Sequence, residues 1–244
     1  MEFEKIILIG IVIFLASVLQ GIFGFAFMLI AMPLVSFILD MRATVPLLAL
    51  LAFSVSLIYW FLVLRLPRSE PFYYKKIMPL FAGALLGIPI GVSFLIQFDE
   101  RLIKLILGSV LILYSIYSLF YKKIIVRLPD WTGYIFGFLS GLMGGAFNIG
   151  GPPVVFYIAT KEWSKIEIVS SLSLFYVAAS TLIILFHVLA GNITKSIAMT
   201  FVSILPVQII GLLLGIHIFR RISEEKYKRF LFVLLIVMGI MLMI

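Results

Sequence analysis

Long runs without a charged residue dominate the chain. Eight stretches contain no Asp, Glu, Lys or Arg, and they cover 6–39, 43–64, 77–98, 105–121, 131–160, 168–194, 196–219 and 230–244. A helix needs about 20 consecutive apolar residues to cross the hydrocarbon core of a bilayer. Most of the stretches suit one crossing, so the pattern predicts an all-α polytopic membrane protein.

Two of these stretches are too long for one ordinary crossing. The stretch 6–39 has 34 residues and the stretch 131–160 has 30, and both contain glycine clusters and proline. Glycine weakens a helix and proline removes a backbone donor. We therefore predict that each stretch is a glycine-broken hairpin or a pair of short spans, joined near Gly21–Phe25 and near Gly144–Gly151.

The two long stretches are related by an internal repeat. A shift of 120 positions places Gln20–Phe27 over Ser140–Phe147 and Pro33 over Pro153. A shift of 124 then aligns further pairs: Gly87 with Gly211, Gly91 with Gly215, Glu100 with Glu224, and Lys104 with Lys228. Since several matches fall in register, we predict a duplication.

The duplication defines the expected organisation of the chain. The first repeat covers 1–121, with the hairpin 6–39 and the spans 43–64, 77–98 and 102–121. A short basic linker, 122–130, is predicted to be cytoplasmic. The second repeat covers 131–244, with the hairpin 131–160 and the spans 166–189, 195–219 and 229–244.

The positions of Lys and Arg choose between two topologies. If each long stretch crosses once, nine Lys and Arg lie on one side and ten on the other. If each stretch returns to the side it left, the loops 65–76, 122–130, 161–167 and 218–229 share one side and carry fourteen of the nineteen. Cytoplasmic loops are enriched in Lys and Arg. This count favours the returning hairpins, with both termini outside.

The second topology inverts one repeat relative to the other. Inverted repeats with broken helices are typical of secondary transporters, whose binding sites lie at the repeat interface near the midplane. Composition agrees, because 64% of the residues are hydrophobic and only 12% are charged. Soluble domains have about a quarter charged residues. The net charge of +8 is explained by membrane orientation, so we expect no nucleic-acid partner.

The sequence lacks the sets of residues that common enzyme mechanisms require. Cysteine is absent, and no Ser–His–Asp set, HExxH motif or pair of intramembrane carboxylates can be assembled. We therefore expect no enzyme, no cofactor, no metal site and no catalytic residue. A passive anion channel and a membrane assembly or structural protein remain as alternatives to a transporter.

The second hairpin is the strongest candidate for a binding site. A helix that starts inside the membrane, near Gly151 or Pro152, presents unbonded N–H groups and a positive dipole end, which suit an anion. Asn148 adds a neutral donor, and the glycines let an anion approach the backbone. The predicted substrate-binding residues are Ser140, Gly144, Gly145, Asn148, Gly150, Gly151 and Pro152, with Gln20, Gly21 and Gly24 from the first hairpin.

Close helix packing is the alternative explanation for the glycines. It is favoured for the pairs Gly87/Gly91 and Gly211/Gly215, because small residues four apart commonly mark tight helix contacts. For Gln20, an ordinary interhelical hydrogen bond is an equal alternative to facing the second hairpin.

One later span carries a polar stripe. Ser170, Ser173 and Tyr176 recur at helical spacing and are predicted to line a substrate path, although such Ser hydroxyls also bond to their own helix. His187 and His217 lie near span ends and are predicted to be interfacial, solvated groups.

The glycine-rich segments resemble those of the sulfite exporter TauE/SafE family, also called TSUP. The resemblance rests on Gly137–Pro153, with a weaker copy at Gln20–Pro33. It implies a transporter of sulfur oxyanions, small organosulfur anions or other organic anions, often outward. Asn148 stands where many relatives have glycine, and the first copy has few glycines after Gly24.

The expected partners follow from this function. They are a small anionic substrate and the lipid bilayer, and the expected location is the cell membrane, plasma or inner, as a multi-pass protein. A coupling ion, either a proton or sodium, and a homodimeric assembly are left open.

Overall fold

The computed structural model describes residues 3–23, 27–64, 74–120, 128–161, 163, 165–218, 233, 236, 237, 239, 240 and 243. Throughout the described ranges the regular structure is helical and no strand occurs. This confirms the predicted all-α class. Residue Gly24, the loop residues 65–73, linker residues 121–127 and most of the predicted span 229–244 lie outside the described residues.

The helices follow the charge-free stretches closely. In chain order they are α1 (Phe3–Phe23), α2 (Phe27–Ser36), α3 (Met41–Leu64), α4 (Met78–Gln97), α5 (Glu100–Phe120), α6 (Thr132–Phe147), α7 (Gly151–Ala159), α8 (Lys165–Leu189) and α9 (Lys195–Ile218), with a 3₁₀ turn at Tyr74–Ile77 before α4. Among these, α1, α3, α4, α8 and α9 contain segments long and apolar enough to cross a membrane.

Each long charge-free stretch divides into a longer and a shorter helix. Helix α2 has 10 residues and α7 has 9. At 1.5 Å per residue neither is longer than about 15 Å, which is half of the roughly 30 Å hydrocarbon core. The break between α6 and α7 covers residues 148–150, inside the window expected from the glycines. A half-length helix therefore starts within each long stretch.

By its internal contacts the chain forms two compact units. Unit 1 comprises Met1–Leu51, Gln97–Lys122 and Asn192–Ile244, and unit 2 comprises Ala52–Ile96 and Lys123–Gly191. Unit 1 therefore contains α1, α2, α5, α9 and the first part of α3. Unit 2 contains α4, α6, α7, α8 and the rest of α3. Each unit draws helices from both halves of the sequence.

In unit 1, α1 packs along α9 through glycines. A Cβ atom added at Gly21, Gly211 or Gly215 would lie closer than 3.0 Å to backbone atoms of the opposite helix. Such approach lets two helix backbones gain van der Waals contact without side chains between them. Gln208 of α9 is fully buried and donates to the carbonyl oxygen of Leu51 at 2.9 Å, which ties α9 to α3.

In unit 2, α4 packs against α6 in the same way. A Cβ atom added at any of six glycines would lie closer than 3.0 Å to backbone atoms of the opposite helix. These glycines are Gly83, Gly87 and Gly91 on α4 and Gly137, Gly141 and Gly145 on α6. Close packing thus accounts for the glycine pair 87/91, as it does for the pair 211/215 of unit 1. It also accounts for Gly145.

The two ends of the second long stretch meet. Lys161, just after α7, places its Nζ 2.5 Å from the Asp130 carboxylate and 2.8 Å from the Leu128 carbonyl oxygen, both just before α6. The same Nζ lies 4.7 Å from the centre of the Tyr157 ring. A stretch that crossed once would hold Asp130 and Lys161 at opposite ends. The α6–α7 segment is therefore a returning hairpin.

A second ion pair brings a third loop to the same end of unit 2. Lys76 lies 2.5 Å from the Glu167 carboxylate, and its Nζ is 5.9 Å from the centre of the Trp163 ring. Lys76 ends the basic loop 65–76, and Glu167 belongs to 161–167. Together with the Lys161–Asp130 pair, this contact brings together the ends of three of the four loops that are predicted to share one side of the membrane.

Candidate functional site at the α6–α7 break

Helix α6 ends in a left-handed residue. Asn148 has φ 55° and ψ 14°, and its N–H donates to the carbonyl oxygen of Gly144 at 2.8 Å. Glycine and asparagine are the residues that adopt this conformation most readily at helix C-termini. The left-handed backbone at position 148 is therefore one that asparagine can adopt. The Asn148 residue is 8% exposed, so its amide lies inside unit 2.

Helix α7 begins with few backbone donors. Its N-cap is Gly150, which has no side-chain capping bond, and its first turn holds Pro152 and Pro153. The first N–H groups of any helix lack partners within that helix, and proline has no N–H to offer. The donors at this helix start are consequently the N–H groups of Gly150 and Gly151. They lie at the positive end of the α7 dipole.

Ser140 of α6 holds the break from one side. Its hydroxyl donates to the carbonyl oxygen of Gly150 at 2.6 Å, and the residue is 2% exposed. A Cβ atom at Gly150 would lie closer than 3.0 Å to the Ser140 carbonyl and hydroxyl oxygens. Residue 150 must therefore be glycine for this contact to form. The one hydroxyl proton of Ser140 is committed to the protein backbone in this structure.

Helix α8 closes the other side of the break. The Tyr176 hydroxyl lies 3.3 Å from the position that a Cβ of Gly151 would take, and the Ile183 Cδ1 lies 3.3 Å from the corresponding position at Gly144. A phenolic hydroxyl can donate to an anion, whereas Ile183 contributes an apolar wall. The surroundings of the break thus combine neutral donors with apolar surface.

The polar stripe on α8 is only partly described. Ser173 is buried, and the side chain of Ser170 lies outside the described residues. The hydroxyl of Ser180 donates to the carbonyl oxygen of Tyr176, and that of Thr181 to the carbonyl of Val177 at 2.7 Å. These bonds to the helix itself are the alternative considered for the stripe. Path lining by Ser170, Ser173 and Tyr176 stays a prediction.

In the first long stretch, a side chain of α1 bonds to the start of α2. The Gln20 side-chain oxygen accepts the N–H of Phe27 at 2.8 Å, and both residues are buried. Phe27 is the first residue of α2, so Gln20 occupies one of its terminal donors. Gly21 faces α9, and Gly24 is not among the described residues. The anion-binding role of Gln20, Gly21 and Gly24 stays a prediction.

The structure brings part of the predicted set together. Around the α6–α7 break lie Ser140, Gly144, Asn148, Gly150, Gly151 and Tyr176, followed by Pro152. Gly145 belongs to the surface that packs on α4. No group of three His, Asp or Glu residues suited to a metal ion occurs in the described part of the chain.

Sequence reasoning missed two residues and misplaced a third. Lys161 and Ile183 were not singled out. Asp130 and Lys161 have opposite charges and flank the charge-free stretch, which is a sequence signal for an ion pair between its two ends. His187 was predicted to be solvated near a span end, and this was wrong, because it is fully buried. His217 is exposed, as expected. Burial at a helix end depends on tertiary neighbours, which position in a span does not reveal.

The comparisons with known proteins agree on one family. The profile described as "Sulfite exporter TauE/SafE" matches residues 9–242. The chain is 30% identical over 167 residues to the "Probable sulfite/organosulfonate exporter TauE" of Cupriavidus necator. That alignment covers 66% of this chain and 65% of the relative, just under two thirds of the relative's length. No solved structure gives a significant match. The profile match across nearly the whole chain shows that it belongs to the TauE/SafE sulfite exporter family, a family of membrane transporters.

Proposed function

We propose that the protein is a secondary transporter for a small anion of the sulfur oxyanion or organosulfonate class, such as sulfite, thiosulfate or sulfoacetate. The observation that carries the proposal is the start of α7, a half-length helix inside a returning hairpin, with no side chain capping its first amides. The printed name of the Cupriavidus necator relative supports the substrate class and outward transport.

Neutral donors suit a carrier better than a fixed cation would. The stretch 131–160 contains no Lys or Arg, and in this proposal backbone amides and the side chains of Asn148 and Tyr176 hold the anion. A helix start is equivalent to about half a positive charge, and its effect grows where water is excluded. Binding without full charge neutralisation limits affinity, which lets the carrier release its cargo after each turnover.

The proposed mechanism is alternating access between inverted repeats, with the site at the α6–α7 break. The Lys161–Asp130 contact supports this arrangement, since it joins the two ends of the second long stretch. The basic loops then lie in the cytoplasm of a cell-membrane protein with both termini outside.

The orientation can be checked by cysteine labelling, because the chain has no native cysteine. Ser69 lies in the loop 65–76. In intact cells the Ser69→Cys variant is expected to resist a membrane-impermeant maleimide and to react only after permeabilisation. Asn192→Cys, in the loop after α8, serves as the opposite control and is expected to react from outside. Labelling of Ser69→Cys in intact cells would contradict the proposed orientation.

The function is tested by counterflow in proteoliposomes with sulfite, thiosulfate, sulfoacetate, taurine and simple carboxylates. We expect at least one sulfur anion to show saturable uptake that is accelerated by the same anion inside. A passive channel would give uptake without saturation or acceleration. An assembly protein would give no uptake above empty liposomes, and either outcome would overturn the proposal.

A further inference from the structure

Two aligned residues make hydrogen bonds across the two hairpin breaks. The shift of 120 positions that relates the repeats places Gln20 over Ser140. Each side chain reaches from the longer helix of its hairpin to the start of the shorter one. The polarity of the bond differs, because Gln20 accepts from an N–H whereas Ser140 donates to a carbonyl.

At the first break, the side-chain oxygen of Gln20 accepts a hydrogen bond from the backbone N–H of Phe27. The Gln20 oxygen lies 2.8 Å from the Phe27 nitrogen, where an oxygen of a bound anion would otherwise have to lie. The contact is buried and links residues only seven positions apart. The first amide of α2 is therefore already bonded to an acceptor of the protein itself.

The donor at the second break has the opposite consequence. In a trans peptide the C=O and the following N–H point in opposite directions, and no cis peptide occurs among the described residues. Because the Gly150 carbonyl points to Ser140, the N–H of Gly151 points away from Ser140. Pro152 and Pro153 supply no amide, so the direction of this one N–H matters more than at an ordinary helix start.

We propose that Ser140 is a positioning residue, which aims the Gly151 amide at the substrate and does not itself bind it. Its counterpart Gln20 occupies the first amide of α2 instead, so we expect a single anion site, at the α6–α7 break. This inference rests on the proposed function and deepens it. It replaces the expectation that Ser140 and Gln20 are both ligands.

The test compares Ser140→Ala with Ser17→Ala in transport and binding assays. Ser17 is an equally buried serine whose hydroxyl bonds to the Ile13 carbonyl of its own helix, away from either break. Loss of the Ser140 hydrogen bond is expected to raise both KM and Kd about tenfold, because the free energy of one hydrogen bond corresponds to about a tenfold change in affinity. The kcat should stay within about twofold of the parent. Ser17→Ala should keep the KM of the parent.

Conservative substitutions at Ser140 distinguish a positioning role of its hydroxyl from a general loss of folding. Ser140→Thr keeps the hydroxyl and is expected to restore KM to within about threefold of the parent, a difference well below that of a lost hydrogen bond. If the added methyl group prevents folding, Ser140→Cys keeps the size and a weak donor and should give an intermediate KM. Calorimetric titration of the unaltered protein should give one anion per chain.

The outcomes distinguish this inference from the proposed function. An unaltered protein that binds and transports none of the anions defeats the proposed function itself. A protein that transports normally, but whose Ser140→Ala variant keeps the parent KM, shows that Ser140 does not position the site. Two anions bound per chain would show that Gln20 leaves the first break open.

Discussion

Replacing Asn148 with aspartate is expected to reduce anion transport by about a thousandfold while the protein still folds. Aspartate tolerates the left-handed backbone almost as well as asparagine, and the cap uses the backbone N–H of residue 148. The new carboxylate would face the bound anion. Two like charges about 4 Å apart repel by roughly 4 kcal/mol at the effective dielectric near a protein surface, which corresponds to about three orders of magnitude in affinity. Initial rates in proteoliposomes measure the effect.

The matched control for this change is Asn148→Gly. Glycine keeps the left-handed backbone and removes only the side chain, so we expect a loss of roughly 1–3 kcal/mol in binding, as for one charge-assisted hydrogen bond. Asn148→Ala would be less informative, since it adds about 1–2 kcal/mol of backbone strain. If Asn148→Asp transports every tested anion at the parent rate, the site is not at this break.

Gly215→Val is expected to prevent stable folding. The site is buried in the α1–α9 contact, and a Cβ there would lie closer than 3.0 Å to the Val18 carbonyl oxygen and the Gly21 Cα. Both neighbours are backbone atoms, which cannot rotate away as a side chain could. We expect a destabilisation of roughly 3 kcal/mol or more, at the upper end for overpacked cores. The melting temperature and the monodisperse fraction in size-exclusion chromatography report the loss.

Gly10→Ala is the control on the same pair of helices. Nothing lies within 4 Å of a Cβ at Gly10 in α1. Alanine is a better helix former than glycine, by about 0.5–1 kcal/mol, so this variant should be at least as stable as the parent. Equal melting temperatures for Gly215→Val and Gly10→Ala would contradict the tight α1–α9 contact.

The helices could be located from the sequence because charged residues are costly in a bilayer. The charge-free stretch 43–64 makes up all but the first two residues of α3, which spans Met41–Leu64, and 77–98 contains α4, which spans Met78–Gln97. The break before α7 was equally visible, since two prolines that follow paired glycines are typical of the start of a new helix. Asn148 as a left-handed helix end also has a sequence signal, an asparagine directly after the last helical residue.

The contacts of individual side chains could not be predicted from the sequence in the same way. Gly144 and Gly145 are neighbours in sequence, yet Gly144 faces α8 and the break while Gly145 packs on α4. Consecutive helix positions differ in direction by about 100°, so a run of glycines leaves the facing surface undecided. The same limit hid the bond from Ser140 to Gly150 and the burial of His187, because both depend on which helix lies alongside.

The most direct test of the central claim is a structure determined with a saturating transported anion. We predict density for the anion at the α6–α7 break, within hydrogen-bond distance of the Gly151 N–H and the Asn148 amide, and no second anion beside Gln20. Density for the anion at another place, with the α6–α7 break empty in a sample shown to be saturated, would contradict the account.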